Sequence, residues 1–143
     1  MAEQQPQMTE AEASEWVRLQ FQRANKFLAE KGILTDRVLT KDSRYLVPHV
    51  AVWKFSTQDQ VDVWVVNGDV PSDVVGAGAA KTAREALRHF SLQWQIQADK
   101  ILTDEKLSQD PEQQKYAKYL IQSAENLYQT TQVEDLWEDQ PQG

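Results

Sequence analysis

The sequence predicts an α+β protein: an N-terminal helix, an antiparallel meander of three or four strands, then two long C-terminal helices. Three observations carry that expectation. Apolar residues recur at helical spacing near both ends of the chain, the period shifts to runs of β-branched and aromatic residues between positions 50 and 67, and clusters of Gly, Pro, Asp and Ser separate the runs. A chain of 143 residues fits one domain and can bury about two thirds of its unfolded surface.

Residues 1 to 8 are polar and aperiodic, which predicts a disordered arm, and a single domain is expected over 9 to 132. "TEAE" at Thr9 to Glu12 is a capping box, in which the Thr9 hydroxyl accepts from the Glu12 N–H and the Glu12 carboxylate reaches back. Ala13, Trp16, Val17, Gln20, Phe21, Ala24, Phe27 and Leu28 then share one arc of a helix that Gly32 ends. Residues 37 to 47 supply one or two strands with a turn near "KDS", and Pro48 belongs at a strand edge or bulge. "VAVWKF" (50 to 55) and "VDVWVVN" (61 to 67) form a hairpin across "STQDQ". The simplest register pairs Phe55 with Val61, Trp53 with Val63, Val52 with Trp64 and Lys54 with Asp62, so Trp53 and Trp64 fall on opposite faces. Core packing under the helices is the expected fate of both rings.

From Ala80 to about Leu102, the residues Ala83, Ala86, Leu87, Phe90, Trp94, Ala98 and Ile101 define one helical face. Leu92 and Ile96 lie off it and form a second, narrower stripe that needs either another helix of the same chain or another subunit. Pro111 opens the last helix, which is expected to run to about Tyr128 and to bury Tyr116, Tyr119, Leu120, Ala124 and Leu127. Beyond it, consecutive Thr residues extend a helix poorly, so 133 to 143 is assigned to an acidic tail. Within that tail Leu136 and Trp137, spaced with Val133 at i, i+3, i+4 among carboxylates, are candidates for an interaction surface.

Composition removes several functions. The net charge is −7, with 22 acidic against 15 basic residues, so nucleic-acid phosphate meets repulsion and no nucleic-acid partner is expected. Cysteine is absent, which removes disulfides, thiolate metal sites and cysteine nucleophiles, and agrees with a reducing compartment. No window approaches the roughly 18 apolar residues of a membrane helix and no signal peptide is visible, so a soluble cytoplasmic protein with no membrane contact is expected.

The Gly-rich run "GAGAAKT" raises phosphate binding. A P-loop requires G-x-x-x-x-G-K-[ST], but here Val75 and Ala80 occupy the two glycine positions. The dinucleotide pattern fails too, because Lys81 takes its third glycine position after Gly76 and Gly78. Gly76 and Gly78 are expected instead to let the chain turn close to the sheet. Asp69 and Asp73 in "NGDVPSD" are a carboxylate pair, yet these are also the residues that turns demand, and the turn is the preferred reading. His49 and His89 belong to no ligand pair, and no Ser stands in a nucleophile elbow. No cofactor and no metal site are expected.

Two function classes remain. The preferred one is a non-enzymatic domain that binds another protein or itself through Leu92, Ile96, Leu136 and Trp137. The other is a small-molecule or anion-binding protein, or an enzyme, with its site at the loop 67 to 84, where Asp69, Asp73, Lys81 and Arg84 supply the polar groups and Tyr45 or a sheet Trp the wall. "WVVNGDVPSDVV" followed by "AREALRHF", and preceded by "YLVPHVAVWKF" and a helix, resembles a small bacterial family described only as a domain of unknown function, over about Trp16 to Tyr128. The resemblance implies an α+β fold and a bacterial cytoplasmic setting, and brings no catalytic residues with it.

Overall fold

The computed structural model describes residues 8 to 138, so most of the arm, and positions 139 to 143 of the tail, lie outside the described residues. Helix α1 (Glu10–Glu30) starts at the expected capping box, with the Thr9 hydroxyl accepting from the Glu12 N–H and Glu12 accepting from the Thr9 N–H. It stops where Gly32 takes a φ of +79°, which costs a glycine little. Five strands follow: β1 (Thr35–Val38), β2 (Arg44–Leu46), β3 (Val50–Thr57), β4 (Asp62–Gly68) and β5 (Asp73–Gly76). All pairings are antiparallel in the order β1-β3-β4-β5, and β2 continues beyond β1 along the same strand, β3. The chain closes with α2 (Ala83–Thr103), α3 (Pro111–Thr131) and a single 3₁₀ turn over Glu134–Trp137.

The sheet is sandwiched. Ala51, Trp53, Phe55, Val63 and Val65 face α1, where they pack on Ala24 and Leu28. Val50, Val52, Trp64 and Val66 face the other way, under Leu87, Phe90 and Trp94 of α2 and Leu120, Ala124 and Leu127 of α3. Both sheet tryptophans are buried, as expected. Each indole N–H finds a partner, Trp53 on the Asn67 side chain at 3.0 Å and Trp64 on the Ala80 carbonyl at 3.0 Å. Asn67 in turn donates to the main-chain carbonyl of Gln20 at 2.8 Å, so one buried polar chain ties β3, β4 and α1 together.

The hairpin register differs from the simplest one by two residues. Phe55 pairs with Val63, Trp53 with Val65 and Lys54 with Trp64, because Thr57 closes the turn through its own bonds to Val61. A shift of two keeps every side chain on its expected face. It replaces the expected Lys54–Asp62 pair by the Lys54 ammonium over the Trp64 ring, 5.4 Å from its centre.

Strand β5 was hidden in the sequence by the turn residues around it. Only Val74 and Val75 carry its pattern. The glycine that needs to be glycine is likewise a different one: Gly68 has φ +118°, and a Cβ there would lie 2.5 Å from the His49 carbonyl oxygen, whereas nothing lies within 4 Å of a Cβ at Gly76 or Gly78.

The stripe on α2 is buried as the period requires, from Ala83 to Ile101, and Leu92 and Ile96 stay exposed on the outer side. On α3, Leu120, Ala124 and Leu127 are buried, but Tyr116 and Tyr119 are exposed and Ala117 takes the inward place. Small side chains let the two helices approach closely enough for the Ser91 hydroxyl to donate to the Ala124 carbonyl at 2.7 Å.

Trp137 is the largest departure. It is 4% exposed and belongs to the core cluster under α2 and α3 rather than to an outer surface. The 3₁₀ turn lets the ring enter the core, its N–H donating to the Thr130 carbonyl at 3.2 Å, while Glu134, Asp135 and Glu138 stay exposed. The indole is therefore buried without desolvating the charges that flank it.

Candidate functional site

The residues singled out around loop 67 to 84 do not converge. Asp73 is used locally: one carboxylate oxygen accepts from the Val74 N–H at 2.8 Å and the other from the Trp94 indole at 2.9 Å. It borders a groove of about 490 Å³ between β5 and α2, with His89, Gln93, Ile96, Gln97 and Lys100 along the helix. Asp69 faces a different groove. Lys81 and Arg84 border neither: the Lys81 N–H is held by Glu85 at 2.9 Å, and the Arg84 side chain is turned to the end of α3.

That second groove is the larger, at about 740 Å³, within the range of natural binding sites. It opens where the β2–β3 corner and the turn after β4 meet the C-terminal end of α3. Its floor is apolar: Leu46, Val50, Val70 and Leu127, side chains whose inner parts belong to the core. Tyr45 borders the groove only through its strand, because its ring turns to the α1 face of the sheet. Burial pushes its hydroxyl above the usual phenol range, partly offset by a hydrogen bond to Ser43, and its ring lies 4.7 Å from that of Trp53. The rim carries Asp69 and His49, whose Oδ2 and Nδ1 are 3.8 Å apart and both exposed. Gly68 sets this pair, since only its left-handed backbone lets the Asp69 N–H reach the His49 carbonyl at 2.7 Å.

The opposite wall is made by Val133 and Leu136 from the segment after α3. They are 47% and 37% exposed, yet they belong to a segment held at two points. Trp137 anchors it in the core, and Glu134 accepts from both terminal nitrogens of Arg84 at 2.8 and 3.2 Å. Arg84 also donates through Nε to the Thr131 carbonyl at 2.8 Å. The guanidinium lowers the Glu134 carboxyl below its ordinary range, chiefly through these hydrogen bonds, and is itself held further protonated by them.

The sequence points to Leu136, Asp69 and Tyr45 separately. It does not single out the floor residues or Thr130, which carry no signal beyond local strand, turn or helix pattern. Among the described residues no group of three or more His, Cys, Asp or Glu side chains is placed to hold a metal ion, and no helix is long and apolar enough to cross a membrane.

The model of a family described as a domain of unknown function (DUF4826) matches residues 10–137. The chain belongs to this family. The DUF4826 match ends on Trp137, the residue that closes the core in the structure. Comparison with curated proteins and with solved structures gave no match.

Proposed function

We propose that this DUF4826 domain is a non-enzymatic protein-binding module that works through the groove between the β2–β3 corner and the end of α3. One observation carries the reading: Val133 and Leu136 are held out on a segment that is itself anchored, beside an apolar floor. Keeping large apolar side chains in water on an ordered segment gains nothing for the fold, and such patches commonly mark interaction sites. Leu92 and Ile96 are a smaller feature, two side chains against the roughly 800 Å² per partner that a stable interface buries, and self-association through them has less support. An anion or small-molecule site at loop 67 to 84 has less support, since Asp69 and Asp73 border different grooves and Arg84 is engaged at the end of α3. Catalysis at the groove has less support: Thr130, the one aliphatic hydroxyl among the lining residues, donates to the Asn126 carbonyl at 2.8 Å, and the His49–Asp69 pair stands exposed at the rim. A cysteine-free chain suits a reducing compartment, and the bacterial cytoplasm is the setting proposed.

Affinity capture from the native lysate with three baits tests this: the parent chain, Leu136→Glu in the groove and Leu92→Glu on α2. A protein held by the parent and by Leu92→Glu but lost with Leu136→Glu supports the groove. Retention by Leu136→Glu contradicts it.

A further inference from the structure

We infer that the occupant of this groove is a segment of a partner protein in which a large apolar side chain is flanked by lysine or arginine. The inference rests on the groove reading above and adds the chemistry of the partner. Among the lining residues Asp69 is the only carboxylate and there is no Lys or Arg. Asp69 is 74% exposed at the rim, so its charge faces whatever enters. Asp135 and Glu138, exposed in and just after the turn that carries Leu136, add negative charge to that end of the molecule without lining the groove. Glu134, the third carboxylate of that turn, already has Arg84 as its counter-charge. The groove is thus apolar at its floor, with an exposed carboxylate at the Asp69 rim and further carboxylates nearby.

Two costs decide which chemistry fits. An acidic or neutral polar segment would bring like charge or unpaired polar groups against this rim, which is unfavourable on encounter and on docking. A basic segment instead keeps its ammonium or guanidinium groups hydrated at the edge while its aliphatic stems and the central apolar side chain cover Leu46, Val133 and Leu136. The net charge of −7 adds long-range attraction for such a partner, which salt weakens.

Nuclear magnetic resonance titration of the ¹⁵N-labelled full chain tests the inference, with three probes: acetyl-Gly-Lys-Leu-Leu-Lys-Gly-amide, the same peptide with Glu in place of Lys, and n-octylammonium. The expected result is chemical-shift change centred on His49, Asp69 and Leu136 with the Lys peptide. Its affinity should exceed that of the Glu peptide by about tenfold at low salt, and the gap should shrink as salt is added. Asp69→Asn should weaken the Lys peptide about threefold, whereas Asp99→Asn, on α2 away from the groove, should not. Equal binding of both peptides in the groove overturns the basic partner and leaves the groove reading standing. Equal shifts from n-octylammonium alone overturn a peptide in favour of a small cationic amphiphile. Shifts confined to other surfaces, or none, overturn both the inference and the reading beneath it.

Discussion

Arg84 at the start of α2 grips the end of α3 and the segment beyond it, with its Nε on the Thr131 carbonyl and its two terminal nitrogens on the Glu134 carboxylate. Helix α3 has no basic residue in its own last turn, so the positive charge that its C-terminal carbonyls favour comes from a different helix. The same guanidinium positions the turn that carries Val133, Leu136 and Trp137. Helix capping and one of the two anchors of the groove wall therefore share one side chain.

The first prediction concerns pH. Because Arg84 lowers the Glu134 carboxyl, this group adds stability that is present above its unfolded value and is lost as pH falls through the lowered folded value. Glu134→Gln should accordingly be less stable than the parent at neutral pH, and the difference should vanish in strong acid. Urea midpoints of both chains from pH 7 down to about pH 2 measure it. A gap that persists undiminished at the acid end would show that Glu134 acts through packing and not through its charge.

Trp137→Ala should be costly. Removing a buried Trp typically costs about 3 to 5 kcal/mol, and a segment at the chain end can partly collapse into the space, so a loss of about 3 kcal/mol is expected. Deleting residues 133 to 143 should cost at least as much, as read from the denaturant midpoint. An unchanged midpoint for either variant would return Trp137 to a dispensable tail.

Gly68→Ala should destabilise by about 2 to 4 kcal/mol, since a left-handed backbone and a contact with the His49 carbonyl act together. Gly78→Ala is the control and should change stability by less than about 0.5 kcal/mol, because its Cβ enters open space. Thermal melts of the pair decide it. Equal effects would mean that the corner relaxes and that Gly68 does not set the His49–Asp69 rim.

Asn67→Ala leaves the Trp53 indole N–H without its partner and removes the second bond accepted by the Gln20 carbonyl, which keeps its helical one, at an expected cost of about 2 kcal/mol. Trp53→Phe removes one of those bonds by itself. The double variant should cost less than the sum of the two, since they share a bond, and strict additivity in urea unfolding would contradict the network.

Periodicity made the three helices legible, and Thr9, Gly32 and Pro111 marked their ends, because these signals are local. The faces of β3 and β4 were legible for the same reason. Their register was not, since it depends on how Thr57 closes the turn. Strand β5 is four residues long, too short to show alternation above its turn-rich surroundings. Trp137 misled because the cost of burying its charged neighbours is avoided only by a 3₁₀ turn that separates ring from carboxylates. The groove joins three distant stretches, near residues 45 to 50, 69 to 70 and 126 to 136, and no pattern along the chain announces such a meeting.

Site-specific photo-crosslinking in cells tests the central claim most directly. A benzophenone amino acid is placed at Val133 in the groove wall or at Leu92 on α2, and the adducts are mapped by mass spectrometry. The account predicts a defined protein adduct from position 133, joined through a segment with an apolar residue next to Lys or Arg, and little or none from position 92. Adducts that form from position 92 and not from 133 would contradict it.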